Sequence, residues 1–233
     1  MNIMITGDVH RDFGALNRLI NKKKPDLVLC AGDFGYWPND KPEKVYGRNH
    51  PKYAKLPTPK PGPDCAIHWV DGNHEDFDAL DKRETDEIWP NVHYQPRGSH
   101  MLLPDGRRVL FMGGAASHDK EFRTPGYDWF PQEIITQKDI DAVDFSLKYD
   151  IVISHTCPRS FNIKHLCKIP DTDRPNDPSE LALDVILHEC NPDLWYFGHW
   201  HRFKFGCHGS TTWYVLDHTA SGYPWWLWLP DAK

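Results

Sequence analysis

Eight side chains able to bind a cation or move a proton stand just beyond five short apolar runs. Ile3-Met4-Ile5-Thr6 leads into Asp8 and His10, and Leu27-Val28-Leu29-Cys30 leads into Asp33. Ala66-Ile67-His68-Trp69-Val70 leads into Asn73 and His74, Ile151-Val152-Ile153-Ser154 into His155, and Leu194-Trp195-Tyr196-Phe197 into His199 and His201. Asp33 carries oxygens that can bridge two cations, Asn73 offers a neutral amide oxygen, and His10, His155, His199 and His201 offer imidazole nitrogens. With Asp8 these make more ligands than one divalent ion takes from a protein, so two ions are implied. A sulfur-free mixture of carboxylate, amide and imidazole favours Mn²⁺, then Fe or Zn²⁺, over Ca²⁺. Mg²⁺ would take fewer imidazoles.

The elements that must position these groups follow from pattern. Apolar runs of this length, partly β-branched, read as strands buried on both faces. In strand-and-helix folds, ligands gather in the crevice beyond the carboxyl ends of the strands, so the five ends describe one site. Asp8 and His10, two apart at a strand end, are expected to point to one side. Asp12 is an N-cap for a helix over residues 13–21, with Lys22-Lys23-Lys24 at its C-terminal dipole end and Pro25 as its stop. A short helix follows Asn73, carrying Phe77 and Leu80, with Glu75 as a candidate cap. Pro104-Asp105-Gly106 between two apolar runs is a hairpin turn. Residues 140–149 and 178–189 read as helices, the second capped by Ser179, and the tail returns to strands at 203–205, 211–216 and 225–229. Residues 36–64 hold seven prolines and several lysines with no sustained period, which reads as a long insertion loop. The expected architecture is a single α/β domain over residues 1–233, a four-layer α-β-β-α sandwich of two packed mixed sheets.

Composition bounds the partners. A formal charge of −6 and a pI near 6.1 disfavour a tight grip on long nucleic acid, which needs many cationic contacts to phosphate. The basic stretch from Lys41 to Lys60 keeps a nuclease in play. No apolar run reaches membrane-spanning length, and the first residues lack the pattern of a signal peptide, so a cytoplasmic protein is expected. The six cysteines form no C-x-x-C pair and read as free thiols, with Cys30 a small core residue. Trp225, Trp226 and Trp228 would cover the core, with a subunit interface or a substrate base as alternatives.

A lone D-x-H arises by chance in a chain rich in Asp and His, but the ordered set does not. Asp8-Val9-His10, Gly32-Asp33, Gly72-Asn73-His74-Glu75, His155 and Gly198-His199-Trp200-His201 resemble the calcineurin-like metallophosphoesterases of bacterial and phage type, from Asp8 to His201. The resemblance implies that Asp8, His10 and His201 hold one ion, that Asn73, His155 and His199 hold the other, and that Asp33 bridges them. It implies a hydrolase of phosphomonoesters or phosphodiesters, attacking through a hydroxide shared by the ions, with His74 contacting the phosphate beside Asn73 and protonating the leaving oxygen. The substrate would be a phosphorylated small molecule, nucleotide or peptide.

Two departures matter. The protein-phosphatase branch continues Gly-Asp with Asp-Arg-Gly, whereas this chain has Phe34-Gly35-Tyr36-Trp37, so a Ser/Thr phosphatase is not favoured. The glycine that often follows D-x-H is replaced by Arg11. A missing phosphate cation is then sought in Arg123, which follows the stretch Gly113 to Lys120 and precedes Trp129 and Glu133, and in Arg11. Trp200 is expected to brace the site, and Asp71 to be a supporting or turn carboxylate. His118 is weighed toward a structural role, as are His68, His93 and His188, and His50, His100, His165, His208 and His218 carry no motif. A non-catalytic scaffold on the same fold is the rival from another class, disfavoured because every ligand and His74 are present.

Overall fold

The computed structural model describes residues 1–38, 57–163 and 176–232. Most of the expected insertion, 39–56, therefore lies outside the described residues, as do His50, His165 and Cys167.

Two six-stranded mixed sheets form the centre. The first contains β1 (Ile3–Thr6), β2 (Leu27–Cys30), β3 (Ala66–Trp69), β4 (Glu87–Trp89), β5 (Val92–Tyr94) and β12 (Trp226–Trp228), in the order β12-β1-β2-β3-β5-β4. The second contains β6 (His100–Leu102), β7 (Arg108–Met112), β8 (Ile151–Ser154), β9 (Leu194–Phe197), β10 (Lys204–His208) and β11 (Thr211–Val215), in the order β10-β11-β9-β8-β7-β6. The strands that lead to the motif residues are parallel to their neighbours, β1 to β2 to β3 and β8 to β9. Their carboxyl ends therefore emerge at one edge of each sheet.

Alternation along the strands sorts the side chains into three apolar layers. Ile3, Ile5, Leu27 and Leu29 face Val109, Phe111, Ile151, Ile153 and Tyr196 between the sheets. Met4, Val28, Ile67 and Trp69 turn outward onto α1 (Phe13–Lys23) and α2 (Phe77–Asp81) through Phe13, Leu16, Ile20, Phe77 and Leu80. Leu110, Val152 and Trp195 meet Leu183, Ile186 and Leu187 of α4 (Pro178–Cys190) on the opposite face. This is the expected α-β-β-α sandwich.

Several local expectations are corrected. Asp12 caps α1 through Ala15 N at 2.9 Å, but the helix runs two residues further than expected, to Lys23, and turns out through Lys24 at φ 52° before Pro25. Asp76, not Glu75, caps α2 by accepting from Ala79 N, because the Glu75 carboxylate is buried elsewhere. Asp177, not Ser179, caps α4, and the Ser179 hydroxyl accepts from Ile135 N. The expected helix over 140–149 is instead the short α3 (Gln137–Asp141). Beyond it, Asp144 takes Ser146 N and Oγ while the buried Tyr149 donates to Asp144 O, local bonds that compete with helix propagation. β4 and β5 were not expected at all, since three-residue strands carry no readable period. The hairpin stands, with Leu103 N donating to Arg107 O and Gly106 at φ 88°. Among the described residues Cys30, Cys65, Cys157, Cys190 and Cys207 are free thiols, and no helix is long and apolar enough to cross a membrane.

Candidate metal centre

The motif residues are brought together by loops in an unusual backbone conformation. His10, Arg11, Asp33, His199 and His201 all have φ between 41° and 65°, in the left-handed region that non-glycine residues rarely enter. The expectation that strand alternation aligns Asp8 with His10 is therefore corrected: β1 ends at Thr6, and a tight left-handed turn aims the imidazole. That turn is pinned by Val9 N and His10 N, which both donate to Asp33 O.

Asp8, His10, Asp33 and His201 present donor atoms all within 4.8 Å of one another. His10 Nε2 lies 2.9 Å from His201 Nε2, and His201 Nε2 lies 3.1 Å from Asp8 Oδ2. Beside them, Asn73 Oδ1 lies 3.2 Å from His155 Nε2 and 3.0 Å from His199 Nδ1. Asp33 stands between the two groups, with Oδ1 3.3 Å from His155 Nε2 and Oδ2 3.7 Å from His10 Nδ1. Its Oδ1 also accepts from Asn73 N and His74 N, which locks the two loops together.

The electrostatics fit a cation. Asp8 and Asp33 are buried, and among the described residues their ion partners are all imidazoles. Burial pulls the His155 imidazole down, but Asp33 and Asp8 outweigh it and push it up to about 10, so a proton stands where positive charge is demanded. Burial, His155 and His118 hold His199 well below its ordinary range, which leaves a free imidazole lone pair. Ala31 O accepts from His155 Nδ1 and so directs Nε2 toward the centre. Converging lone pairs around two buried carboxylates are the donor set of a divalent metal site.

His74 lies at the rim, its ring 5.0 Å from that of His10. Arg123 Nη2 donates to His74 Nε2 at 2.8 Å, Nη1 donates to Asn73 O, and Nε pairs with Asp119. Burial first, then Arg123 and the neighbouring imidazoles, hold His74 below its ordinary value against the pull of Asp33. The structure thus brings Arg123 to the site as a neighbour of His74. Arg11 points away, toward Trp37 O, in a pocket lined by Tyr36, Trp37 and Trp89. Glu75 accepts from Phe34 N, Gly35 N and Tyr36 N, and so holds the segment that follows Asp33.

Trp200 braces the centre as expected, whereas His118 and His218 stand closer to it than the sequence indicated. His118 Nε2 is 3.2 Å from His199 Nε2, and Trp200 packs against both rings. The His218 ring is 4.7 Å from that of His201. Its signal was present, because Asp217-His218 follows the apolar run of β11 just as the other motif residues follow theirs. Ser117 reaches Asn73, and Glu133 reaches it through Ser117; both lie in the stretch singled out beside Arg123, but with no role given to them. Asp71 is a buried partner of Arg97 and Tyr94, away from the donor cluster. His68 and His93 stack on each other in the first sheet, and exposed His188 meets Glu189, in line with structural roles.

A two-sheet sandwich with such donors at its strand ends is the architecture shared by calcineurin-like phosphoesterases. The family model for calcineurin-like phosphoesterases matches residues 1–203, and the chain belongs to that family. A lariat debranching enzyme of Schizosaccharomyces pombe is 25% identical over 257 residues, which cover 96% of this chain and 54% of that protein, so the chain spans about half the length of this relative. Among solved structures, TT1561 of Thermus thermophilus is similar with a TM-score of 0.58 and 13% identity, over 95% of this chain and 91% of that one. Phosphopantetheinyl hydrolase of Mycobacterium tuberculosis is similar at 0.53 and 14% identity, over 99% and 96%. These structural likenesses concern the fold.

Proposed function

We propose that this phosphoesterase hydrolyses the ester of a phosphorylated small molecule or nucleotide with two divalent ions. Asp8, His10 and His201 would hold one ion, and Asn73, His155 and His199 the other. The observation that carries the reading is Asp33, whose two oxygens face His155 on one side and His10 on the other. The donor set favours Mn²⁺, with Fe or Zn²⁺ as alternatives. When bound, such ions clamp phosphoryl oxygens and make hydroxide available near neutral pH.

The protein's own groups do the rest. Asp33 is held well below the usual carboxylate range, where burial is outweighed by His155, His74 and His10, so it stays an anionic ligand. An arginine can only donate, so His74 accepts at Nε2 and carries its proton on Nδ1. A phosphate arriving beside Arg123 would compete for the guanidinium and free Nε2 to take a proton from solvent, which it would then pass to the leaving oxygen as the ester bond breaks.

A second reading is favoured by one observation, the likeness to a protein named a lariat debranching enzyme. On that reading the ester is an internucleotide phosphodiester, with the net charge of −6 weighing against a long substrate. A panel of phosphomonoesters, phosphodiesters, nucleotides and branched RNA, each assayed with Mn²⁺ and after chelation, tests both readings. Turnover of small esters that chelation abolishes and Mn²⁺ restores is expected. Full activity after exhaustive chelation would end the two-metal account. Preference for branched RNA, with binding that weakens steeply as salt rises, would select the second reading.

A further inference from the structure

We infer that Ser117, held by Glu133, is the positioning residue that fixes which way the Asn73 amide faces. The inference rests on the two-ion reading and concerns the ion assigned to Asn73, His155 and His199. The two ends of an asparagine amide have nearly the same shape, so packing alone does not decide between them. Only the carbonyl end can ligate a cation. Turned over, Asn73 would present its NH₂ to His155 Nε2 and His199 Nδ1, which now lie 3.2 and 3.0 Å from Oδ1.

The choice is made one bond further out. Asn73 Nδ2 donates to Ser117 Oγ at 3.2 Å. A hydroxyl can donate or accept, so Ser117 by itself specifies nothing. Glu133 supplies the direction. Its Oε1 accepts from Ser117 N at 2.7 Å and from Trp129 Nε1 at 2.9 Å, and its Oε2 accepts from Ser117 Oγ at 2.6 Å. Burial raises the Glu133 carboxyl, but three donors face its two oxygens and favour the ionised form. That form only accepts, so the single hydroxyl proton of Ser117 is committed to Glu133. What remains toward Asn73 is a lone pair, which selects the NH₂ end. All three residues are buried, with exposures of 5% for Asn73, 7% for Ser117 and 1% for Glu133, so water does not readily substitute. The next residue, His118, meets His199 Nε2 at 3.2 Å. One segment therefore braces two ligands of the same ion, whereas the described partners of Asp8, His10 and His201 come from other segments.

Mn²⁺ titration calorimetry and electron paramagnetic resonance on the full chain test this, comparing the unsubstituted protein with Ser117→Ala, Ser117→Thr and Glu133→Gln. Glu133→Gln is the sharper change. Its amide oxygen keeps the two N–H donors while its NH₂ faces Ser117, which turns the hydroxyl proton toward Asn73. Two ions are expected in the unsubstituted protein. In Ser117→Ala and Glu133→Gln one ion should bind as before, and the other roughly 10–100-fold more weakly, the span typical of lost partners of metal ligands. The spin-coupled Mn²⁺ pair should give way to an isolated-ion signal at low metal, and Ser117→Thr should retain the pair. Metal-free melting curves confirm folding, and the use of two variants keeps the test decisive if one of them unfolds. Unchanged affinity for both ions, or equal weakening of both, overturns the inference. Fewer than two ions in the unsubstituted protein would instead overturn the two-ion reading, and the inference with it.

Discussion

At the scale of single residues, His74 differs from the metal-facing histidines in its partner. Burial lowers both, but Asp33 and Asp8 push His155 up, while burial, then Arg123 and the neighbouring imidazoles, hold His74 down against Asp33. If His74 delivers the proton to the leaving oxygen, His74→Ala should retain both ions, because Asn73 and the imidazole ligands are untouched. Its rate should fall by roughly 10²–10⁴-fold on an ester with a poor leaving group, the usual span for general acid catalysis. A nitrophenyl phosphate leaves without a proton and should lose much less. Steady-state rates on both substrates separate the roles: equal losses would make His74 an electrostatic clamp. No loss on either substrate would remove it from the mechanism.

At the scale of elements, the centre depends on how closely the loops beyond the strands approach each other. A β-carbon on Gly198 would overlap Asp8 Oδ1, and one on Gly72 would overlap Asp33 Oδ1 and N. The glycines of these motifs are thus explained by packing of one loop on the ligand of another. Gly198→Ala should displace Asp8 from the donor cluster while leaving every donor side chain unsubstituted. The expected result is Mn²⁺ binding weakened about tenfold or more, comparable to the loss of a ligand's supporting partner. A calorimetric titration indistinguishable from that of the unsubstituted protein would show that the loop yields at no cost.

At the scale of the whole molecule, two features outside the centre bear on stability. Arg97, its side chain 8% exposed, pairs with the fully buried Asp71 at 2.6 Å and donates to Gln132 O, Glu133 O and Ile134 O. It thereby ties the loop after β3 to the segment that carries Glu133. Arg97→Ala leaves the buried Asp71 without its cation, with only Tyr94 OH still donating to it, and urea unfolding should register a loss of about 3–5 kcal/mol. A loss below 1 kcal/mol, on the order of an exposed pair, would show that water replaces the guanidinium. His68 links stability to pH. Burial, then the stacked His93, lower it from 6.5 to about 4. Between those values the unfolded chain takes up a proton that the folded protein refuses. Stability should therefore fall as pH drops from 6.5 toward 4, with no further loss from this group below that. His68→Gln should flatten this part of the pH dependence of the urea midpoint, and an unchanged slope would remove His68 as a contributor.

How much was legible in the sequence depends on the range of the interaction responsible. The five apolar runs determined their strands, because burial on both faces leaves a continuous apolar signature, and the residue types beyond them pointed to a metal site. Asp12 determined the start of α1, since a cap acts within three residues. The short strands β4 and β5, the early end of α3 and the switch of capping from Glu75 to Asp76 were decided by tertiary contacts. Glu75 is chosen by the N–H groups of Phe34, Gly35 and Tyr36, some 40 positions away, and no local pattern records that. The same holds at the centre. Sequence alone placed Asp8, Asp33, Asn73 and the histidines among the donors, but their aim comes from left-handed turns and from Ser117, Glu133 and Arg123. A hydrogen bond between distant segments needs only two compatible groups, so it leaves no spacing in the chain to be read.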